Sequence, residues 1–471
     1  MPPAASATAP ESRASSAARA ADLLLRWPRE VPLAALVSGG EERTQNAWTI
    51  LARPSRAVVI DGGCSADEAL AMLDAALAET PRPCEAVMNG EGMRRPPFDG
   101  GWIVALGYSL GGCFEPRGAG ALRGTPHAVL LRCDDAWCMD HADGSLHAVG
   151  APPPLAPPGG AGALPWSVQG FAPDTTDAHY AAGVARVVEY IRAGDAFQAN
   201  VARRFSARIS GDLRSFAHAA IAENRAWFGA SLDLPCGQTL VSMSPELFLR
   251  VHPDGTVVTR PIKGTRPASV DARELDESDK DRAELAMIVD LMRNDLGRVA
   301  EIGSVRVTAP RVLETHRTVH HGVAEISARL RGDVGWRDLL AATFPPGSVT
   351  GAPKVRAMQI IEELEPHARG FYCGAIGFIA RSGHAALNVA IRTAQIGVAG
   401  GFGDACPEVR GASGASATAG ATAGTGTLPD GTGRVLAYHA GCGIVADSDP
   451  RGEVAETYAK VGAVAQLLVL A

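Results

Sequence analysis

Residues 238–260 read QTLVSMSPELFLRVHPDGTVVTR and indicate the class of fold. The stretch holds three strand-like runs, Gln238–Met243, Leu247–Val251 and Val257–Arg260, separated by short turn signals that contain Pro or Asp-Gly. A further strand-like run lies upstream at Arg204–Ile209. Strands that follow one another this closely are typical of an antiparallel sheet.

Helical periodicity lies on either side of these strands. The predicted helices have apolar residues at helical spacing, and they are Asp177–Ala193, Ala283–Leu291, Trp336–Ala342, Pro353–Leu364 and Val454–Leu470. The first third of the chain adds strand-like runs and a helix near Ser65–Leu77. Because strands and helices come in separate runs, the sequence predicts an α+β fold and not a βαβ nucleotide-binding fold.

Compositional bias divides the chain. Residues 151–164 are rich in Pro and Gly, whereas residues 397–433 have few large apolar side chains to offset the entropy of ordering. We therefore expect a disordered tail at 1–20, an N-terminal region at 21–150, a linker at 151–164 and a main domain at 165–471 with a disordered insertion at 397–433. The Ala- and Ser-rich N-terminus faintly resembles a transit peptide, but a frayed tail is the favoured interpretation.

Charge and composition exclude several classes of function. The 471-residue chain has a formal net charge of −7 and no arginine-rich stripe, so we expect no nucleic-acid partner. No apolar run reaches the roughly 18 residues of a membrane helix, so we expect no membrane partner. The nine cysteines stand singly, which is typical of reduced thiols in a cytoplasmic protein. P-loop, GxGxxG, GxSxG and HExxH motifs are absent.

Carboxylates on two predicted helices are candidate metal ligands. Glu453, Glu456 and Lys460 are spaced to share one helical face, and Glu284 lies near the start of an otherwise apolar helix. An ordinary solvated face with an ion pair is the alternative interpretation. Carboxylates without a His or Cys partner suit Mg²⁺, which takes one or two of them together with water and an anionic substrate.

Eight motifs occur in a fixed order and identify a family. They are SPELFLRV (244–251), TRPIKGTRP (259–267), DRAELAMIVDLMRNDLG (281–297), VHHGV (319–323), PPGSVTGAPKVRAMQIIEELE (345–365), YCGAIGF (372–378), NVAIRTA (388–394) and GCGIVADSDPRGEVAETYAK (441–460). Together they resemble the chorismate-utilising enzymes from about residue 175 to the end, apart from the 397–433 insertion. The segment PPFDGGWIVALGYSLG (96–111) is similar to the amino-terminal part of that family.

The resemblance implies a fold and a set of site residues. The fold has two large antiparallel sheets packed on each other with helices outside, and the site lies in the second two-thirds of the chain. Glu284 and Glu456 match Mg²⁺ ligands, with Glu453 as a nearby third carboxylate. The positions that match substrate contacts are Gly264, Thr265, Ser348, Tyr372, Arg392, Gly441, Cys442, Gly443 and Lys460. His321 is a catalytic candidate that matches a polar position near the ring of the substrate.

Lys263 indicates one branch of the family. The resemblance implies that enzymes forming anthranilate or isochorismate carry alanine here, whereas those forming aminodeoxychorismate carry lysine. Lys263 would add covalently to chorismate at C2, and Glu246 would be the general acid/base. A lysine has a reference pKa near 10.4, so it must be desolvated to be neutral at pH 7.

The resemblance also implies partners and leaves alternatives open. Nitrogen would come from ammonia, supplied free or by a separate glutamine amidotransferase subunit, because no cysteine lies in a GxCxG context. The product would keep its enolpyruvyl group and lead to 4-aminobenzoate and folate. Formation of anthranilate, isochorismate or salicylate, supply of an antibiotic pathway, and a regulatory subunit without activity are the alternatives. Phe197 and Cys442 depart from the family's usual residues.

Overall fold

The computed structural model describes residues 11–39, 47–82, 95–115, 126–160, 162–315, 319–398 and 433–467. Within these residues the chain forms nineteen β-strands and ten α-helices. Every strand pairing is antiparallel. The predicted α+β class is therefore confirmed.

The elements are numbered in chain order. The strands are β1 (Ala34–Val37), β2 (Trp48–Ile60), β3 (Gly101–Leu106), β4 (Ala128–Asp140), β5 (Leu146–Val149), β6 (Trp166–Pro173), β7 (Gln198–Gly211), β8 (Phe228–Asp233), β9 (Thr239–Ser244), β10 (Leu247–Val251), β11 (Thr256–Arg260), β12 (Ile262–Pro267), β13 (Arg306–Thr315), β14 (Val319–Arg329), β15 (Gly351–Ala352), β16 (Ala375–Ala380), β17 (Ala385–Val389), β18 (Thr393–Val398) and β19 (Arg434–Ile444). The helices are α1 (Glu11–Arg26), α2 (Ala66–Leu77), α3 (Leu110–Phe114), α4 (Asp177–Arg192), α5 (Leu213–Asn224), α6 (Ala272–Asp276), α7 (Asp279–Gly297), α8 (Trp336–Thr343), α9 (Lys354–Leu364) and α10 (Pro450–Leu467).

The strands form one continuous path of paired neighbours. One half of the path runs β13–β14–β11–β10–β17–β16–β3–β4, with β12 continuing β11 along β14. The other half runs β2–β1–β8–β9–β18–β19–β7–β6, and β2 pairs with β4 to join the two. The resemblance implied two sheets, and the structure has two halves joined at that pairing.

Alternating side chains along β3 show how the two halves pack. Trp102, Val104 and Leu106 belong to a core that also contains residues of helices α2, α7 and α8. Ile103, the intervening residue, belongs to a different core that contains Leu232 of the other half. Because successive side chains of a strand point to opposite faces, each half has one face toward the other half and one face toward helices.

The expected disordered tail at 1–20 is corrected for residues 11–20. These residues lie in α1, and Ala20 and Leu24 are fully buried against α5 and the neighbouring strands. The Ala- and Ser-rich composition concealed a helix whose apolar end, Leu23–Trp27, supplies the burial. Residues 1–10 lie outside the described part of the chain.

The segment 151–164 does not separate two independently paired units. It lies against the protein, where Ala156 O accepts from Arg26 Nε at 2.7 Å and Pro153 O accepts from Trp137 Nε1 at 2.9 Å. Strands on its two sides also pair directly, β1 with β8 and β3 with β16. The expected division into 21–150 and 165–471 therefore does not correspond to separate sheets.

The expected insertion at 397–433 overlaps a strand at its start. Gly397 and Val398 belong to β18, and Val398 is the register partner of Arg434 at the start of β19. Residues 399–432 lie outside the described part. Across the described ranges, we find no helix with the length and apolar character needed to span a membrane.

Two neighbouring strand breaks fix the position of the candidate site. β9 passes into β10 at Pro245–Glu246, and β17 passes into β18 at residues 390–392. The breaks face each other, because Leu247 pairs with Asn388 on one side and Ser242 pairs with Thr393 on the other. Chain at a break is free of the regular ladder, so its side chains can converge on a common point.

Candidate active site

Glu246 lies at the first strand break and is buried. Pro245 has no N–H to donate to a ladder, which ends β9 at Ser244. The break is closed locally, since Ser244 Oγ donates to Val389 O at 2.7 Å and Val389 N donates to Glu246 O at 3.0 Å. The Glu246 side chain is thereby held inside the protein, with the residue 4% exposed.

Ser348 connects Glu246 to Lys263. Ser348 lies in a short 3₁₀ turn at Gly347–Val349, between α8 and β15. Its hydroxyl donates to Glu246 Oε1 at 2.7 Å, and its carbonyl accepts from Lys263 Nζ at 2.8 Å. The predicted catalytic pair and the predicted polar residue therefore form one group.

Burial shifts the pKa of each catalytic candidate in the direction that favours its uncharged form. The pKa of Glu246 is raised by burial, against opposing effects of the Ser348 hydroxyl, Lys263 and Arg392. The pKa of Lys263 is lowered by burial, although Glu246 and Glu284 favour its charged form. A carboxyl with a raised pKa and an amine with a lowered pKa suit an acid and a nucleophile, respectively.

Gly264, Thr265 and His321 lie together where β12 pairs with β14. Thr265 is the register partner of His321, and Thr265 Oγ1 lies 2.9 Å from His321 Nδ1. Gly264 has φ +80°, and a Cβ there would lie 2.6 Å from Leu275 Cδ1. Only glycine fits this position without displacement of its neighbours. Gly264 and Thr265 thus follow Lys263 directly in the sequence, and the pairing of β12 with β14 brings His321 to Thr265.

Arg392 lies at the second strand break in a left-handed conformation. Its φ is +49°, and its carbonyl accepts from Met243 N at 2.9 Å across the break. Burial lowers the pKa of the guanidinium, and Tyr438 and Glu246 oppose that effect. A partly buried cation that interacts electrostatically with Glu246 is suited to bind an anionic group.

Tyr372 is buried and held by two aromatic or cationic neighbours. Its ring stacks on His439 with centroids 5.2 Å apart and planes at 14°. The guanidinium of Arg369 lies 5.6 Å from the same ring centroid. These two contacts therefore fix the orientation of the Tyr372 ring.

The segment Gly441–Gly443 has one strand edge free among the described residues. β19 pairs with β7 through Gly443 and beyond, but its pairing with β18 ends at Tyr438. A Cβ on Gly441 would lie 2.5 Å from Val201 O, which explains the need for glycine in this tightly packed strand. Backbone N–H groups on the free edge can bind a carboxylate.

Lys460 and Glu456 form the open side of the site. They lie one turn apart on α10, and Lys460 Nζ is 2.7 Å from Glu456 Oε1 and 2.7 Å from Gly441 O. Their side chains are 43% and 50% exposed. Burial disfavours the charge on each, but the Cys442 thiol and Glu456 raise the pKa of Lys460, and Lys460 lowers that of Glu456.

Three possible ligand atoms converge beside this pair. One atom each from Cys442, Glu453 and Glu456 lies within 4.8 Å of the others. Glu453 is buried and accepts from Ser448 Oγ at 2.7 Å. Glu284, on α7, has a pKa that burial raises, and Lys263 and Glu456 are among the charges that act on it.

The donor set fits Mg²⁺ through its carboxylates. Glu284, Glu453 and Glu456 offer hard oxygen donors from two helices, as Mg²⁺ prefers, whereas the Cys442 thiol is too soft a donor for this ion. The partial exposure of Glu456 leaves room for water and an anionic substrate. Of the three predicted metal ligands, Glu453 and Glu456 lie together, and Glu284 and Glu456 both act electrostatically on Lys263.

Arg369 supports the site and was not predicted from the sequence. Its guanidinium is buried, pairs with Glu365 at 2.6 Å, and donates to Asn200 O and to Val349 O at distances of 2.5 and 3.3 Å. It therefore connects the Ser348 turn to β7. Its sequence signal is an arginine between two of the recognised motifs, which identifies no role without the contacts.

Comparison with known proteins establishes the family. Residues 41–415 match the model of the chorismate binding enzyme family, which is most of the chain. The protein belongs to this family of chorismate-binding enzymes.

The similar proteins include enzymes with two different names. The chain is 37% identical over 387 residues to aminodeoxychorismate synthase component 1 of Klebsiella aerogenes, covering 78% of this chain and 76% of the relative. It is 34% identical over 403 residues to anthranilate synthase component 1 of Streptomyces coelicolor, with 78% and 72% covered. The crystal structure of anthranilate synthase component I from Streptococcus pneumoniae TIGR4 has a TM-score of 0.68 at 27% identity, covering 89% of this chain and 92% of that one.

Proposed function

We propose that the protein is the chorismate-aminating component of an aminodeoxychorismate synthase. It replaces the C4 hydroxyl of chorismate by an amino group and leaves the enolpyruvyl group in place. The observation that carries the proposal is the partly buried amine of Lys263, which donates to Ser348 O at 2.8 Å in the same group as the Glu246 carboxyl. Relatives named aminodeoxychorismate synthase component 1 support it.

The chemistry proceeds by two displacements. The neutral Lys263 amine adds at C2, the ring double bond shifts, and the C4 hydroxyl leaves as water with a proton from Glu246. Ammonia then adds at C4, the double bond returns, and the C2–N bond to Lys263 breaks. The configuration at C4 is retained when the two displacements follow the same stereochemical course, and the proton lost by ammonia restores the Glu246 acid.

The remaining residues bind and orient the anionic substrate. Arg392, Tyr372, Lys460 and the backbone of Gly441, Cys442 and Gly443 hold its carboxylates, and Gly264, Thr265 and His321 contact the ring side. Ser348 was predicted as a further substrate contact. Mg²⁺ would be held by Glu284 and Glu456 with Glu453 nearby, and it would supply the positive charge that lets an anion approach these acids.

The same proposal includes a partner and a location. The relatives' designation as component 1 supports a second component, and a separate glutamine amidotransferase subunit that supplies ammonia fits this need. We place the reaction in the cytoplasm, in the route to 4-aminobenzoate and folate.

Anthranilate formation is the second candidate. Relatives named anthranilate synthase component 1 favour it, at 34% identity over 403 residues in two cases. This reaction places nitrogen at C2 and eliminates pyruvate, which leaves no step for a lysine that adds at C2. The two candidates therefore differ in the use of Lys263.

Product analysis tests the proposal. The purified protein is incubated with chorismate, Mg²⁺ and ¹⁵N-ammonium at mildly alkaline pH, and the products are identified by mass spectrometry. We expect a ¹⁵N-containing product that keeps the enolpyruvyl group and that a 4-aminobenzoate-forming lyase converts. Anthranilate with release of pyruvate, or an isomer of chorismate without ¹⁵N, would contradict the proposal.

A further inference from the structure

Ser348 contacts both catalytic groups through different atoms. Its hydroxyl donates to Glu246 Oε1 at 2.7 Å, and its backbone carbonyl accepts from Lys263 Nζ at 2.8 Å. Ser348 and Glu246 are each 4% exposed, so water has little access to either. The hydroxyl proton of Ser348 is thus already engaged with the proposed catalytic acid.

The turn that carries Ser348 is held rigidly from several directions. Val349 N donates to Pro346 O at 3.2 Å, and Arg369 donates to Val349 O at 3.3 Å. A Cβ on Gly347 would lie 2.6 Å from Leu291 Cδ2, so α7 packs closely on the turn. A rigid turn can fix the positions of the groups that bind to it.

We infer that Ser348 is a positioning residue that determines which oxygen of Glu246 acts as the acid. Oε1 accepts the Ser348 hydroxyl proton, so the acid proton resides on Oε2 and is delivered from there to the leaving hydroxyl. The same residue holds Lys263 through its carbonyl, which leaves the amine lone pair to face the substrate. The inference rests on the proposed function, because it assigns roles within that reaction.

The two contacts have different consequences for titration. The hydroxyl stabilises the Glu246 carboxylate and lowers the pKa of Glu246, as do Lys263, the Ile262 backbone and Arg392, whereas burial raises it. The Cys373 thiol also faces this carboxyl. Lys263 is faced by Glu246, Glu284, Glu456 and Lys460, and its bond to Ser348 uses the backbone. A side-chain substitution at Ser348 therefore affects Glu246 directly and leaves the Lys263 contact in place.

The test compares Ser348→Ala and Ser348→Thr with Thr350→Ala. Thr350 is a matched control. Its fully buried hydroxyl lies beside the same turn and donates to Pro346 O at 2.8 Å, and not to Glu246 or Lys263. The pH profile of kcat/KM is measured as chorismate consumption, and the pH at which Lys263 becomes reactive to acetic anhydride is measured separately by mass spectrometry.

We expect kcat of Ser348→Ala to fall about 10- to 100-fold, in line with the cost of a misplaced catalytic group. The break in its pH profile that belongs to Glu246 moves to higher pH, while the reactivity midpoint of Lys263 does not move. Ser348→Thr restores the wild-type profile, and Thr350→Ala retains it. If Ser348→Ala does not fold, Ser348→Cys replaces it, because a thiol is a weak donor.

Other outcomes overturn the inference. A Ser348→Ala profile that superimposes on that of Thr350→Ala, or a rise in KM for chorismate with kcat and the pH profile unchanged, would make Ser348 a substrate contact. Because consumption of chorismate is followed, the test remains valid if the wild-type product is anthranilate. In that case the proposed function fails, whereas the pH profiles still decide the role of Ser348.

Discussion

The two sides of the candidate site differ in the burial of their charged side chains and in the resulting pKa shifts. On the inner side, Glu246 is buried and Lys263 is partly buried, and burial shifts the pKa of each in the direction that favours its neutral form. On the outer side, Glu456 and Lys460 are half-exposed at a distance of 2.7 Å, and each keeps the other charged. The difference teaches that burial changes across the candidate site. One site can therefore combine groups suited to proton transfer and nucleophilic attack with groups suited to the binding of ions.

Replacement of Lys263 gives the largest expected effect. Lys263→Ala removes the nucleophile of the inner side, and we expect the rate of amination to fall by at least about 1000-fold. Arg293→Ala, which alters an exposed cation on α7 that pairs with Asp290, is the control and retains activity within a few-fold. Product formation is measured by mass spectrometry. Amination by Lys263→Ala at more than a tenth of the wild-type rate would show that the inner side does not use the amine.

Replacement of an outer carboxylate tests the ion-binding side. Glu456→Gln removes a hard ligand, and we expect the Mg²⁺ concentration for half-maximal activity to rise about 10- to 100-fold. Asp290→Asn, an exposed carboxylate that pairs only with Arg293 among the described ion pairs, is the control and leaves that concentration unchanged. The activity is titrated with Mg²⁺ at saturating chorismate. An unchanged Mg²⁺ requirement in Glu456→Gln would contradict the division of roles.

A third prediction concerns the pKa of Lys263, which tests whether the inner side of the site desolvates this amine. Burial lowers the pKa of Lys263 from 10.5, so its neutral fraction at any pH below that value exceeds that of an exposed lysine. We expect its acetylation rate to reach half-maximum at a lower pH in the folded protein than in the same chain in urea. Lys263 is one of four lysines, so its peptide is readily followed by mass spectrometry. Equal midpoints in the two states would mean that the inner side does not desolvate the amine.

The smallest expected effect comes from removal of residues 399–432. Val398 and Arg434 are register partners at the ends of β18 and β19, so a short Gly-Asn turn can join the two strands. We expect kcat/KM within about twofold of wild type and an unfolding midpoint within a few degrees. Both are measured on the purified deletion variant. A large loss of activity would assign a role to this segment, which the sequence predicts to be dispensable.

Motif order and helical spacing carried most of the information about the site. The face shared by Glu453, Glu456 and Lys460 follows from residue spacing, and the structure retains it on α10. The family's motifs also brought Glu246, Lys263 and Ser348 into consideration. Their mutual contacts could not be predicted, because they join a strand break, a strand and a turn that are up to 102 residues apart in sequence.

The errors came from composition. The Ala- and Ser-rich start suggested a tail, but the burial of Leu24 depends on α5, which begins nearly two hundred residues later. The composition of the Pro-rich segment at 151–164 likewise predicted a linker. Its contacts with Arg26 and Trp137 could not be seen in the composition of the segment itself. Composition describes what a segment can do alone, whereas its partners decide whether it is ordered.

The pairing of β3 with β16 has a consequence for synthesis. β3 leaves the ribosome roughly 270 residues before β16, which at about 5–20 residues per second is a wait of about 15 to 55 seconds. During that time one edge of a fully apolar strand has no native neighbour, and an exposed edge of this kind is prone to pair with other chains. Yield of native protein should therefore depend on temperature and on chaperone supply during translation more strongly than the stability of the finished fold would suggest.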